Sequence, residues 1–294
     1  MLEEQFKFDN YSLRTGIHGK QIEWFTWKVF ISKDEPDEKL DKVRSVEYRL
    51  PESFPDPIRH VDNRGSRFAL NSSGGGEFPI FITIFLIDNT EISTKYRLDL
   101  NKRWPPEELM GIHLDSADLE GANLEKANLR NAILRSVNLN GANLNDADLT
   151  NAKMVRAKLY RTNLIGAKLN EADLRFAEMW HSDLTNANLQ KADLSQAQLY
   201  NAILIDANME EIILFNAGLM GAHLEGACLK NADLRNATLK DAKFNDKTNC
   251  EGAQVDETTI NNLNGSNWSD AKWDSWTRDK IIEELKRINR VKNP

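Results

Sequence analysis

Cysteine is nearly absent. Cys228 and Cys250 are the only two in 294 residues, so no disulfide framework is expected. No run approaches the roughly 18 apolar residues that a membrane-spanning helix needs. The longest candidate, residues 78–87, contains Pro79 and Thr83 and reads as a buried strand. Met1-Leu2-Glu3-Glu4 is acidic and lacks an apolar core, so no signal peptide is expected. Basic residues are outnumbered: the formal net charge is −7 and the pI is near 5.4. These values fit a cytoplasmic protein and argue against direct nucleic-acid binding, which would call for a basic face. Chemistry is equally scarce. The five histidines (His18, His60, His113, His181 and His223) form no H-E-x-x-H pair and no zinc spacing with cysteine. Gly74-Gly75-Gly76 precedes a strand rather than a helix, with no Lys-Ser or Lys-Thr after it, so it is a turn and not a phosphate loop. No nucleophile elbow occurs. We therefore expect no enzyme, no cofactor and no metal.

What the chain has is a repeat. From Leu114 to Phe244 a large apolar residue recurs at every fifth position, 27 in all, each Leu except Met154, Met179, Met209 and Phe244. Two residues before each stands Ala in most cases, as at Ala117, Ala122, Ala127, Ala142 and Ala147. Five residues of α-helix advance about 500°, which sends successive leucines about 140° apart. Five residues of flat strand alternate faces. A chain that turns a corner after every five residues can point every Leu inward, with Ala beside it and three residues outside. Asn and Asp suit such corners, because their side chains bond nearby amides and tolerate unusual dihedrals.

The motif Ala-Asp/Asn-Leu-x-x (Ala117-Asp118-Leu119, Ala147-Asp148-Leu149, Ala232-Asp233-Leu234) resembles the pentapeptide-repeat family. The resemblance implies a right-handed quadrilateral β-helix with four repeats per coil. Nearly seven coils, at a strand spacing of about 4.8 Å, give a rod roughly 32 Å long. Val137, Thr162, Ser182 and Ile212 replace the inward Ala and should widen the interior without breaking the register.

The first hundred residues have another texture, with aromatic and β-branched runs divided by Gly, Pro and Asp. We expect strands over residues 22–32, 43–50, 67–71, 78–87 and 91–100, with one or two earlier, forming a β-sandwich. Trp27-Lys28-Val29, then Leu50-Pro51-Glu52-Ser53-Phe54-Pro55-Asp56-Pro57, then Gly74-Gly75-Gly76-Glu77-Phe78, together resemble the YEATS domain, its prokaryotic branch most. That resemblance implies an immunoglobulin-like sandwich with a ligand slot at one end, which reads acylated lysine in eukaryotic members. It places Ser53, Phe54, Gly74, Gly75 and Gly76 at the slot. Pro51 stands where those members have histidine, and Gly75 where they have the tyrosine wall, so acyl-lysine reading carries over poorly. Trp24 is the aromatic left to complete a slot. The plainer reading of Phe54 is a core residue under a Pro-rich turn.

The domains expected are a YEATS-like β-sandwich over 1–103, a β-helix over 104–246, with Trp104-Pro105-Pro106 as a stiff junction, and a C-terminal cap over 247–294. In that cap Ile281, Leu285 and Ile288 recur at helical spacing, with Glu283 and Glu284 early and Lys286, Arg287 and Arg290 late, as a helix dipole favours. A capping role is the default, and homodimerisation through this end is the second reading. On the rod, Tyr160, Trp180, Tyr200 and Met220 fall 20 residues apart and should stack as an exposed ladder about 14 Å tall, a candidate protein contact. Arg161 and His181 stand beside it, while Val155 with Phe215, and Ile165 with Ile205, are apolar on other faces. These features point to a non-catalytic interaction or adaptor protein of prokaryotic signalling or defence, with protein partners. The alternative is a DNA-mimicking protein that binds a topoisomerase such as DNA gyrase. From 112 to 246 the repeat holds 18 acidic and 14 basic residues, and Lys153, Arg156, Lys158, Arg161 and Lys168 interrupt the negative stripe that mimicry needs.

Overall fold

The computed structural model describes residues 6–18, 22–74, 78–97, 109–263 and 265–292. The chain forms two compact units, residues 1–105 and 106–294.

The first unit is a two-sheet sandwich. One sheet has the order β1-β2-β5, built from β1 (Phe8–His18), β2 (Ile22–Ile31) and β5 (Leu70–Gly74). The other has the order β4-β3-β6-β7, built from β3 (Val43–Arg49), β4 (Ile58–Val61), β6 (Pro79–Leu86) and β7 (Glu91–Arg97). All pairings are antiparallel. Alternation drives the layering: Ile80, Ile82, Ile84 and Leu86 of β6 are buried, whereas Phe81 between them is 51% exposed. β6 is therefore buried on one face only, not the wholly buried strand that its composition suggested. Trp27, Val29, Val46 and Tyr48 close the core from both sheets. Burial pushes the Tyr48 hydroxyl pKa far up, and that hydroxyl donates to the Phe68 carbonyl at 2.6 Å.

Three sequence expectations need correction here. The strand expected over 67–71 starts only at Leu70, because Arg67 and Phe68 take left-handed backbone (φ 54° and 58°) that no strand accommodates. The strand β4 was not foreseen: it follows the proline-rich loop, which closes through Leu50 N–H donating to the Pro57 carbonyl at 2.8 Å. A short helix, α1 (Asp37–Leu40), also lies between β2 and β3. Residues 98–100 of the last expected strand, and the Trp104-Pro105-Pro106 junction, lie outside the described residues.

The second unit is a β-helix with 20 residues per coil. Parallel bridges join His113 to Ile133, Asp118 to Asn138, Asn123 to Asn143 and Asn128 to Asp148, and the step repeats up the rod. All 27 inward positions are buried, none more than 4% exposed. Each rung bonds its neighbours: Leu119 N–H donates to the Asn138 carbonyl at 2.7 Å, and Asn138 N–H to the Ala117 carbonyl at 2.9 Å. The corners are turns closed by bonds such as Ala122 N–H to the Leu119 carbonyl at 3.0 Å. Every fifth residue from Gly111 to Asp241 has positive φ, which is the third residue of a type II turn. This is why 16 of these 27 corner residues are Asn, Asp or Gly. Any other L-residue there costs roughly 1–2 kcal/mol. The polar replacements inside are satisfied: Thr162 donates to the Leu139 carbonyl at 2.8 Å and Ser182 to the Met179 carbonyl at 2.7 Å.

Past Phe244 the register slips but the rungs continue. One extra residue makes the steps 21, from Cys228 to Asn249 and from Asp233 to Gln254. Asn245 and Thr248 tie the insertion together, and Cys250, Ala253 and Val255 take the inward places. A further bridge joins Asn249 to Lys272. The β-helix thus runs beyond residue 246, the limit that the five-residue spacing alone suggested. Two helices then close the end: α2 (Glu257–Asn261), which the sequence did not announce, and α3 (Ser275–Lys292). Ile260 and Ile281 are buried, and Lys280 donates to the Val255 carbonyl at 2.8 Å, satisfying an edge group that the last rung leaves open. The helix starts before the apolar spacing showed it. Asp274 accepts from the Thr277 N–H at 2.9 Å, Glu283 and Glu284 fall mid-helix, and the first turn holds no acidic residue. The inward stripe begins with the buried Thr277, a polar residue that hides it from a hydrophobic reading.

Candidate interaction sites

At the sandwich end, Phe54 sits in the loop between β3 and β4, where its N–H donates to the Pro51 carbonyl at 3.0 Å. Its ring is half-buried, 5.0 Å from the ring of Phe78 and 6.3 Å from that of Trp27, while Trp27 and Phe78 are 5.6 Å apart. The three rings meet mostly edge to face, the arrangement that aromatic quadrupoles favour. Trp27 is fully buried, and its Nε1–H has no hydrogen-bond partner among the described residues. Ser53 is exposed. Gly74 ends β5 and pairs with Phe25. Gly75 and Gly76 lie outside the described residues, as does the side chain of Trp24. The sequence reading missed Phe78 as a partner of Phe54. Its signal was the phenylalanine that follows the glycine run.

On the β-helix, Tyr160, Trp180, Tyr200 and Met220 stand at one corner, each the second residue of its turn. Tyr160 is 37% exposed, Trp180 41% and Met220 43%. Tyr200 is less exposed than these three, because its ring lies over Gly218: a Cβ there would come within 2.6 Å of it. Trp180 and Tyr200 are 5.8 Å apart and tilted, and Tyr160 meets His181 edge-on at 6.0 Å. The backbone below is held by a side chain, with Tyr160 N–H donating to Asn140 Oδ1 at 2.9 Å.

The preceding corner carries Val155, Phe176 and Phe215, the last two 40% and 39% exposed. Both corners border the single face through Lys158, Glu178, Gln198 and Gly218. Val155 and Phe215 therefore flank the same face as the ladder, not a separate one as counting suggested. Phe176 went unremarked in the sequence, although phenylalanine at a left-handed corner is itself a signal. On the flank, Arg175 donates to both carboxylate oxygens of Asp173 at 2.7 Å and holds that carboxyl below the usual range. Among the described residues, no group of three or more His, Cys, Asp or Glu side chains could hold a metal ion, and no helix is long and apolar enough to cross a membrane.

Comparison with curated proteins gives no match. Residues 25–99 match the prokaryotic YEATS domain. Eight copies of the pentapeptide repeat match over stretches that together run from 112 to 262. Among solved structures, the chain is similar to HetL, a pentapeptide repeat protein involved in heterocyst differentiation regulation in the cyanobacterium Nostoc sp. strain PCC 7120. The identity is 27% over 55% of this chain and 87% of that one, with a TM-score of 0.33. It is similar to QnrB1, a plasmid-mediated fluoroquinolone resistance protein, at 15% identity over 62% and 93%, with a TM-score of 0.28. The yeast AF-9 homolog protein Yaf9 matches at 20% identity over 32% and 68%, with a TM-score of 0.27. The matched repeats cover more than half of the chain, which thus belongs to the pentapeptide-repeat family and carries a prokaryotic YEATS domain ahead of its β-helix.

Proposed function

We propose that this chain is a non-catalytic adaptor of the prokaryotic cytoplasm, serving signalling or defence. In this reading its β-helix docks a protein partner at the corner of Tyr160, Trp180, Tyr200 and Met220, while the YEATS domain recognises a second ligand beside Phe54. Both modules are of kinds that mediate protein interactions. The carrying observation is that three large side chains of one column stand exposed on a rod whose other outward positions are mostly polar. The test compares Trp180→Ala with the parent chain, scoring co-purified partners, light scattering and melting temperature together. An unchanged melt with weakened association supports the reading. A large loss of stability with unchanged association makes the column scaffold and sinks it.

The gyrase-binding DNA mimic is the poorer reading, since Arg156, Lys158 and Arg161 stand exposed across the middle of the rod. Inhibition or protection of gyrase in a supercoiling assay would revive it. For the C-terminal end we propose a cap rather than a dimer contact, because Lys280 and Ile260 already close the last rung.

A further inference from the structure

Most left-handed corners of the β-helix use Asn, Asp or Gly. Between residues 156 and 181 they do not. Arg156 (φ 59°), Arg161 (φ 52°), Glu171 (φ 58°), Phe176 (φ 61°) and His181 (φ 56°) hold that backbone, and only Gly166 among the six corners accepts it freely. The run continues through Lys191 (φ 60°) and Gln196 (φ 61°), so that seven of the nine corners from 156 to 196 carry this strain, which points to a use for the side chains. Four of the six corners from 156 to 181 border one face, Arg156 and Phe176 on one edge and Arg161 and His181 on the other, with Tyr160 and Trp180 alongside. The guanidinium of Arg156 lies 5.7 Å from the centre of the Phe176 ring, and that of Arg161 lies 5.1 Å from the Tyr160 ring. Their side-chain partners among the described residues are thus rings, not carboxylates. From Asp148 to Glu171 the sequence has no acidic residue in between, yet it places Lys153, Arg156, Lys158, Arg161 and Lys168 there. One coil of an acidic protein is purely cationic, and Glu178 in the next coil is the one carboxylate that this face carries between Lys158 and Gly218.

We propose that this face docks an extended acidic segment of a partner protein, its carboxylates on Arg156 and Arg161 and its apolar side chains on Tyr160, Phe176 and Trp180. The proposal rests on the contact-face reading above and names the partner's chemistry. A guanidinium stacked on a ring is held in place with its donors outward, which suits bidentate capture of a carboxylate. The exposed rings supply apolar anchors beside it. Single-stranded nucleic acid fits less well. It needs open ring faces for its bases, two of which the guanidinium groups of Arg156 and Arg161 already cover.

Fluorescence anisotropy of the full chain tests this with three labelled probes. One is a ten-residue Glu/Asp peptide carrying one Leu and one Phe. The second is its amidated Gln/Asn twin, and the third a single-stranded decanucleotide. The acidic peptide should bind at least about tenfold more tightly than its twin and release with added salt. The double variant Arg156→Asn with Arg161→Asn should weaken the peptide at least about tenfold while its melting temperature holds or rises, because Asn tolerates left-handed backbone better than Arg. The proposal is overturned if the acidic peptide fails to bind, if the twin binds equally, if the oligonucleotide binds more tightly than the peptide, or if the double variant keeps its affinity. Loss of peptide binding in Trp180→Ala but not in the arginine variant leaves the contact face standing and its acidic chemistry wrong. No loss in either variant removes both.

Discussion

Leu174 is a sharp probe of the inward register. It is 0% exposed, and so are Met154 and Leu194, the side chains one coil below and above it. Leu174→Ala deletes buried methyl groups in a column that cannot collapse, since the rungs on both sides are fixed by backbone bonds such as Leu174 N–H to the Asp193 carbonyl at 2.8 Å. The expected cost is about 2–5 kcal/mol. Leu174→Lys adds an unpaired buried ammonium, worth several kcal/mol more. Set against a typical domain stability of about 5–15 kcal/mol, the lysine variant should lose the cooperative transition of the middle coils. One residue on, Arg175 is exposed and its ion pair with Asp173 lies at the surface, so Arg175→Lys should leave the unfolding midpoint almost unchanged. Urea unfolding of the full chain, followed by far-ultraviolet circular dichroism, reads all three. Equal midpoints for Leu174→Ala and Arg175→Lys would refute the five-residue inward assignment.

Three further outcomes are expected. Acetyl-lysine peptides should bind the full chain weakly or not at all, because Pro51 and Gly75 supply no ring. Micromolar affinity in a titration, abolished by Phe54→Ala, would show instead that Phe78 or Trp24 completes a slot. Gly226→Ala should lower the urea midpoint more than Gly141→Ala. Both sites have positive φ, but a Cβ at Gly226 would come within 2.0 Å of Asp206 Oδ1, whereas at Gly141 it meets nothing within 4 Å; equal losses would mean that strain alone matters. Hydrogen bonds from Arg175 and Arg235 hold the Asp173 and Asp233 carboxyls below their usual range. The unfolded chain binds these protons first, so their stabilisation is present above about pH 4 and is lost as pH falls through the lower folded values. Asp173→Asn with Asp233→Asn should flatten the acid-side fall of the melting temperature, and an identical fall in the variant counts against this assignment.

The candidate sites were only partly legible from the residues. The ladder positions followed from arithmetic once a coil held 20 residues, and the structure puts all four at one corner. Their exposure did not follow, because the ring of Tyr200 settles over Gly218, a contact between residues 18 apart that spacing alone does not predict. At the sandwich end, Phe54 could be named from its motif. Its partners Phe78 and Trp27 could not, because they come from two other segments that meet only when the sheets pack.

Local rules therefore settled the frame of this protein, and packing settled its surfaces. A period of five, Leu and Ala at fixed offsets, and turn-forming Asn, Asp and Gly between them dictate the coil, because each rule acts within one turn of chain. The alternating strands of the first hundred residues likewise dictate a two-layer sandwich. Tertiary structure alone decided that the ring of Tyr200 covers Gly218 on the face between the corners at 155–156 and 160–161. It also carried the rungs past the insertion at Asn245, where Cys250 and Val255 take the inward places. There the neighbouring coil supplies the backbone bonds, and a coil already in place templates the next whether or not the spacing in the chain is kept.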